Sequence, residues 1–258
     1  MIIKLLDGTI HDRDELLEQM WDDDFYYREL DTDKVLSSSS VKSLFTSPKR
    51  FFNKQKKTIY NQSALITGHI VHTMVLEPER VKEKYDLVEV KSRKTKTFEE
   101  AQRSSLREVI LKDEYDIAER VANAVISNPS ASELLLNGRA EVPALDTISG
   151  VPFRGKADYL CDDLIVDLKT SSNIDKFCYM GKYTWHYDIQ AYIYTQLFGI
   201  KKFIFIVVDK ETLDVGIYPL SEQSYESGKA KLSMAISNYN EYSAHPEKLN
   251  EFTIRGTF

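Results

Sequence analysis

The sequence VPFRGKADYLCDDLIVDLKT, residues 151–170, predicts a β-hairpin. We expect the first strand over Phe153–Leu160 and the second over Leu164–Thr170, because β-branched and aromatic residues dominate both. Cys161-Asp162-Asp163 lies between them and is typical of a tight turn.

The hairpin brings three charged side chains together. Because side chains alternate along a strand, Asp167 and Lys169 point to one face and Leu168 to the other. Pairing across the turn places Asp158 near Asp167. An ion pair at a sheet edge is the simpler interpretation. However, the apolar residues around Asp167 indicate a buried strand, and a buried carboxylate and lysine need a reason.

This cluster has the composition of a site for a hard divalent cation. The carboxylates of Asp158 and Asp167 and the main-chain carbonyl of Leu168 offer oxygen ligands, which Mg²⁺ and Mn²⁺ prefer. A nearby ammonium such as that of Lys169 stabilises charge that develops on a phosphorus centre. The residues therefore predict hydrolysis of a phosphodiester, with the cation as Lewis acid.

Length and composition indicate a soluble globular protein. The chain has 258 residues, 42% of them hydrophobic and 29% charged, which suits one large domain or two small ones. No apolar run approaches the roughly 20 residues that span a bilayer, and the N-terminus lacks a signal-peptide pattern. Two cysteines are too few for a disulfide framework. We expect a cytoplasmic protein without a membrane partner.

Charge is distributed unevenly along the chain. The net charge is −6, but residues 1–34 hold eleven acids and four bases, and residues 37–57 hold six bases and no acid. A basic patch can contact phosphates in an acidic protein, although a solvated helix face is the simpler interpretation. Residues 91–97 form a second basic stretch. The candidate DNA contacts in these stretches are Lys49, Arg50, Arg93 and Lys94.

The order of elements predicts an α/β (α+β) fold with a mixed central sheet flanked by helices. We expect a small strand and an acidic helix, Asp12–Tyr27, before two short basic helices. Residues 61–80 are expected to form a helix that ends near Pro78. Gly68 and His72 share a face of this helix, and the glycine suggests close approach of another backbone. By itself, His72 is more often a hydrogen-bonded structural residue.

Several motifs together resemble the PD-(D/E)XK nuclease superfamily, in its RecB-like and RecE-like exonuclease branch, which includes exodeoxyribonuclease VIII. Asp158 followed by Asp167-Leu168-Lys169 is similar to its catalytic core. The Gly-x-x-x-His pattern of Gly68 and His72 precedes Leu76-Glu77-Pro78-Glu79, as in RecE-type proteins. Gln190-x-x-x-Tyr194 is similar to the helix that follows the catalytic strand. The opening serine–proline–aromatic helices are matched by Ser38, Ser40, Phe45, Ser47, Pro48 and Phe51.

The resemblance implies a restriction-endonuclease-like core and a role for each matching residue. His72 is expected to be a metal ligand or to lie beside one. Glu141 is expected to be an additional acidic ligand. Asp158 and Asp167 become the principal ligands, joined by the Leu168 carbonyl. Lys169 is expected to position the attacking water. Gln190 and Tyr194 are expected to orient the hairpin or contact the DNA strand. The approach to the first aspartate, Gly155-Lys156-Ala157, departs from the more regular pattern of the branch.

The resemblance also implies a function and partners. We expect a nuclease domain over residues 37–258 after an acidic extension over 1–36. The expected activity is a Mg²⁺- or Mn²⁺-dependent exonuclease acting on DNA ends in phage or bacterial recombination and repair. A homo-oligomeric ring and a single-strand annealing protein are the implied protein partners. Two alternatives stay open: a structure-specific or single-strand endonuclease of the same superfamily, and a catalytically silent DNA-binding assembly protein.

The acidic extension also has two interpretations. It is either a soluble structural extension, which is the simpler one, or an element that packs against or shields the basic surface of residues 42–57. The resemblance does not explain it.

Overall fold

The computed structural model describes residues 1–53 and 62–254 of the chain. Lys54, Lys56 and Lys57 of the basic stretch therefore lie outside the described residues. The strands are β1 (Ile2–Lys4), β2 (Ile10–Asp12), β3 (Tyr85–Val88), β4 (Glu108–Leu111), β5 (Arg139–Ile148), β6 (Val151–Leu160), β7 (Ile165–Ser171), β8 (Phe203–Asp209) and β9 (Val215–Pro219).

The α-helices, in chain order, are α1 (Arg13–Gln19), α2 (Ser38–Thr46), α3 (Pro48–Phe52), α4 (Gln62–Leu76), α5 (Val81–Lys84), α6 (Lys96–Ser104), α7 (Lys112–Ser127), α8 (Pro129–Leu134), α9 (Phe177–Tyr183), α10 (Tyr187–Phe198) and α11 (Glu222–Ala244). A π-helix spans Phe25–Glu29, and short 3-10 helices span Pro78–Arg80, Ile174–Lys176 and Pro246–Glu251. Across the described ranges, no helix is both long and apolar enough to cross a bilayer.

A five-stranded sheet in the order β5-β6-β7-β8-β9 forms the centre of the molecule. Strands β7 and β8 are parallel, and the other neighbours are antiparallel. Parallel strands need a crossover connection, which α9 and α10 supply here. The predicted mixed sheet with flanking helices is confirmed.

Each face of this sheet is covered by a separate apolar core. On one face, buried residues of α2, α10 and α11 pack against strand residues such as Phe153, Ile165 and Phe205. On the other face, α4 and α7 pack against Val166 and Leu168 of β7 and their neighbours on β8. Strand β7 is thus buried on both sides, as its apolar sequence predicts.

The predicted hairpin is present, but its ladder is short. Strands β6 and β7 pair only at Tyr159–Val166 and Leu160–Ile165. The same register would set Asp158 opposite Asp167, one step beyond the last pair. Asp158 therefore lies where the two strands stop pairing.

The N-terminal segment differs from the single acidic helix that the sequence predicts over Asp12–Tyr27. Helix α1 ends at Gln19, and the π-helix begins only at Phe25. The side chain of Asp22 accepts a hydrogen bond from the Phe25 main chain at 2.8 Å, which caps a new turn instead of continuing the first helix. Buried residues of this segment form a small core with Leu145 of β5.

Other expectations about local structure were wrong in detail. The sequence predicts a helix over Phe98–Glu108, but helix α6 ends at Ser104, and strand β4, which comes after it, pairs in parallel with β3. Leu65, which the apolar spacing of residues 61–80 predicts to face the core, is exposed. Among the described residues outside its own helix, Gly68 has no close backbone neighbour: a methyl group there would lie 3.5 Å from the Thr170 hydroxyl, an ordinary contact.

Candidate active site

Interrupted pairing on both sides of Asp158 opens the sheet at the candidate site. On the β5 side, Ala140–Tyr159 and Val142–Ala157 are paired, whereas Glu141 and Asp158, which would come between them, are not. Glu141 has a φ of 52°, in the left-handed region that non-glycine residues rarely adopt. Such backbone strain is concentrated at functional sites. Because of this distortion, Glu141 and Asp158 do not pair with each other in the β5–β6 ladder.

Three potential metal ligands converge at this opening. One ligand atom each from His72, Glu141 and Asp158 lies within 4.8 Å of the others. His72 Nδ1 lies 3.5 Å from Asp158 Oδ2, which also accepts a hydrogen bond from the Leu168 main-chain nitrogen at 2.8 Å. Helix α4 and strands β5 and β6 each contribute one of the three side chains. Leu168 also forms a main-chain hydrogen bond with His72, and the role of its carbonyl as a metal ligand stays a prediction.

Asp167 and Lys169 form a second group on the adjacent strand. Asp167 is fully buried, and its Oδ1 accepts a hydrogen bond from Gln190 Nε2 of α10 at 2.6 Å. Its Oδ2 forms an ion pair and a hydrogen bond with the Lys169 ammonium. The ammonium also lies 5.2 Å from the centre of the Tyr187 ring. Both oxygens of the buried Asp167 carboxylate therefore have a partner, Gln190 at Oδ1 and Lys169 at Oδ2.

Burial and mutual repulsion raise the pKa values of the three carboxyl groups. Burial, reinforced by Asp158, raises the pKa of Glu141 to about 8. Burial also raises the pKa of Asp158, against the opposing effect of the Lys169 charge. Burial raises the pKa of Asp167 to about 6, although the Lys169 charge acts in the opposite direction. A cluster whose carboxyl groups resist ionisation is one that a bound cation would stabilise.

The pKa values of the two basic side chains at the site, His72 and Lys169, shift in opposite directions. Burial, with the charge of Lys169, lowers the pKa of His72 to about 4, so its imidazole is neutral at pH 7 and able to ligate a metal. Burial alone would lower the pKa of Lys169, but the charges of Asp167 and Asp158 raise it above its ordinary value. Lys169 therefore stays a cation beside the carboxylates.

A cavity of about 770 Å³ gives access to this cluster. His72, Glu141 and Asp158 line it, together with Tyr194 of α10. The Tyr194 hydroxyl accepts a hydrogen bond from the main-chain nitrogen of Lys156 at 3.4 Å. Tyr194 thus holds β6 in place and also faces the cavity.

The basic residues named as DNA contacts are two pairs of neighbours in the chain, and the members of each pair differ in their surroundings. Lys49 Nζ donates to the Asn250 carbonyl at 3.4 Å, whereas Arg50 is exposed. The Arg93 guanidinium forms two hydrogen bonds with the Glu114 carboxylate, at 3.1 and 2.5 Å, and Lys94 is exposed. Their role in binding stays a prediction, and Arg93 would have to leave a structural ion pair to fulfil it.

Residues that the sequence did not single out also line the cavity. Asp23, Tyr26 and Tyr27 come from the N-terminal segment, and Arg154 and Lys156 from β6. One sequence signal was available: Arg154, Lys156 and Asp158 are alternate residues of one strand, and alternate residues share a face. No local pattern indicated that residues 23–27 would reach the same cavity.

The chain is similar to known proteins over most of its length. Residues 37–249 match the sequence profile of a family described as "PDDEXK-like domain of unknown function (DUF3799)". A solved structure of a candidate exonuclease from Eubacterium rectale superposes with a TM-score of 0.62 at 14% identity, covering 92% of this chain and 94% of that one. A phage-related exonuclease from Haemophilus somnus 129PT gives 0.36 at 14% identity, covering 81% and 95%, which is too weak for argument. A search of curated protein sequences gives no match. At these identities the Eubacterium rectale likeness shows a shared fold.

Proposed function

Because this chain belongs to the family of PDDEXK-like domains, we propose that it is a divalent-metal-dependent deoxyribonuclease that hydrolyses phosphodiester bonds at DNA ends. The observation that carries the proposal is the position of Asp158. It lies where β5, β6 and β7 separate, beside His72 and Glu141 on one side and the Leu168 main chain of β7 on the other.

The residues present fit a hard divalent cation. His72, Glu141 and Asp158 would hold it, with Asp167 as the next carboxylate. Carboxylate oxygens favour Mg²⁺ or Mn²⁺, and the single imidazole is compatible with Mn²⁺ in particular. Such an ion supplies Lewis-acid stabilisation of a phosphoryl oxygen and activation of water. The raised pKa of Glu141 supports the assignment, because a nearby cation favours its ionised form.

The protein groups around this site have separable roles. Lys169, cationic and only partly accessible, would orient the attacking water and stabilise the negative charge that develops on the phosphate. Asp167 holds the ammonium, and Gln190 holds Asp167 through its Oδ1. The Leu168 N–H fixes the Asp158 carboxylate towards the cavity. Tyr194 would orient β6 or contact the DNA strand.

The finer parts of the proposal follow the superfamily resemblance. We propose action on linear ends in phage or bacterial recombination and repair, in a cytoplasmic setting, with Mg²⁺ as the usual ion. A ring of identical chains and an annealing protein would be the matching partners. The nuclease domain would comprise residues 37–258, with residues 1–36 appended to it.

The activity is tested with purified protein, Mg²⁺ and end-labelled linear DNA. We expect nucleotide release that Asp167→Ala and Lys169→Ala abolish, because each removes one half of the buried pair. Lys202→Ala is the matched control: Lys202 lies on the same sheet next to β8, and its exposed ammonium pairs with Asp163 in the hairpin turn. Equal degradation by Lys169→Ala and Lys202→Ala proteins would contradict the assigned role of Lys169.

Two alternatives are separated by the same assay. A closed circular substrate cut as fast as a linear one would favour an endonuclease. Binding of DNA without cleavage, in Mg²⁺ and in Mn²⁺, would favour the catalytically silent assembly protein.

A further inference from the structure

A segment outside the family match forms one wall of the candidate active site. The family profile begins at residue 37, yet Asp23, Tyr26 and Tyr27 line the same cavity as His72 and Asp158. Tyr26 and Tyr27 lie in the π-helix, a rare conformation that is frequent at functional sites. The acidic N-terminal segment therefore lines the candidate active site and does not only cover the outer surface of the fold.

Two cations of β6 hold this segment in place. The Arg154 guanidinium donates hydrogen bonds to the main-chain carbonyls of Tyr26 and Leu30 and lies 4.5 Å from the Tyr26 ring centre. The buried Lys156 ammonium forms an ion pair with Asp23 at 2.6 Å. Because β6 also carries Asp158, the strand that supplies a metal ligand fixes the position of the segment as well.

Tyr27 packs against Tyr26 and Lys156 but keeps most of its surface exposed. Tyr26 is buried beneath it, with the two rings 4.8 Å apart in an edge-to-face contact. Tyr27 is 61% exposed, although its ring centre lies 5.6 Å from the Lys156 ammonium at the wall of the cavity. Lys156 is two residues from Asp158, a strand distance of roughly 6.6 Å. An accessible aromatic face is thus held close to the site of cleavage.

We propose that Tyr27 stacks on an unpaired base of the DNA strand whose phosphodiester is cut beside Asp158. An aromatic face accepts any base, so Tyr27 would position the strand end without reading its sequence. Asp23 and Lys156 act as positioning residues that hold the ring. This inference rests on the proposed function.

The fold shared with the Eubacterium rectale structure includes part of this segment. Residues 37–258 make up 222 of the 258 residues, or about 86%, whereas the Eubacterium rectale structure covers 92% of the chain. The superposition therefore extends into residues 1–36.

The test measures kcat and KM on end-labelled DNA with a single-stranded overhang, in Mg²⁺, for Tyr27→Ala, Tyr27→Phe and Trp21→Ala proteins. We expect Tyr27→Ala to raise KM by roughly tenfold, the usual loss when one stacked base is released, and Tyr27→Phe to behave as wild type. Trp21 is the matched control, an aromatic of the same segment that is 50% exposed and lies over Arg139.

A second measurement identifies the stacked base. An abasic residue is placed at successive positions of the overhang. We expect one position to reproduce the KM increase in the wild type and to add nothing in Tyr27→Ala. Equal KM values for Tyr27→Ala and Trp21→Ala, with a wild type that cuts DNA, would overturn the inference alone. A wild type that neither binds nor cuts DNA would overturn the proposed function and the inference with it.

Discussion

At the scale of single residues, the hydrogen bond from Gln190 to Asp167 makes the clearest prediction. Gln190→Ala leaves Asp167 Oδ1 buried without its donor, and we expect the free energy of unfolding to fall by roughly 1–3 kcal/mol. The pKa of Asp167, already about 6, should rise further, so activity should require a higher pH.

The control for this prediction is on the same helix. Gln196 is exposed and donates to the Tyr225 hydroxyl at 3.1 Å, so Gln196→Ala should change stability by no more than about 0.5 kcal/mol. Chemical denaturation of both variants at one pH measures the difference. Equal stabilities would show that the Asp167 carboxylate does not depend on Gln190.

Sequence alternation predicted that Asp167 and Lys169 would share a face, and they form an ion pair. It could not predict the φ of 52° at Glu141, because that conformation depends on where two ladders stop pairing. Tyr27 also escaped prediction. The ring is supported by the ion pair between Asp23 and Lys156, two residues more than a hundred positions apart in the chain. Nothing in the local pattern of residues 22–30 indicates this contact.

At the scale of secondary structure elements, two helical glycines should respond to alanine with opposite signs. A methyl group at Gly228 of α11 would lie 2.2 Å from the Asp188 carbonyl oxygen of α10, so Gly228→Ala should force the helices apart. We expect a loss of roughly 1–3 kcal/mol, as for other overpacked sites. Gly68 of α4 has space for a methyl group, and Gly68→Ala should stabilise the helix by about 0.5–1 kcal/mol.

Thermal unfolding of the two variants without added metal measures the predicted loss of stability in Gly228→Ala and the predicted gain in Gly68→Ala. A stabilised Gly228→Ala protein would contradict the close packing of α10 on α11. For α4, the sequence pattern predicted the helix and its end near Pro78. It did not predict the distance between Gly68 and the neighbouring strand β7.

At the scale of the whole molecule, the order of motifs predicted the superfamily, and the family match over residues 37–249 confirms it. The order of elements predicted a mixed sheet because, from residue 139 on, three strands are followed by helices, a further pair of strands and a last long helix. The arrangement of the elements before residue 139 was harder to predict from the sequence. Strand β4 is four residues long and three residues separate it from the polar helix α6, so its pairing with β3 comes from tertiary contacts.

The buried carboxyl groups make the stability of the metal-free protein depend on pH. The pKa of Glu141 is about 8 in the folded protein and 4.5 in the unfolded chain, so between these values the folded state binds more protons. By linkage, its contribution to the free energy of unfolding falls as the pH rises through this window. His72 acts in the opposite direction, but only between about pH 4 and 6.5. The interval from pH 6.5 to 8 therefore isolates Glu141 from His72.

We expect the metal-free wild type to lose stability from pH 6.5 to 8, by more than the Glu141→Gln protein, whose amide does not titrate. Mg²⁺ should stabilise the wild type more at pH 8 than at pH 6.5, because the cation binds the ionised carboxylate and has fewer protons to displace. Chemical denaturation at both pH values, with chelator or with Mg²⁺, measures all four stabilities. Parallel pH dependence in wild type and Glu141→Gln would show that Glu141 is ionised in the free protein. Stabilisation by Mg²⁺ that does not grow with pH would place the cation away from Glu141.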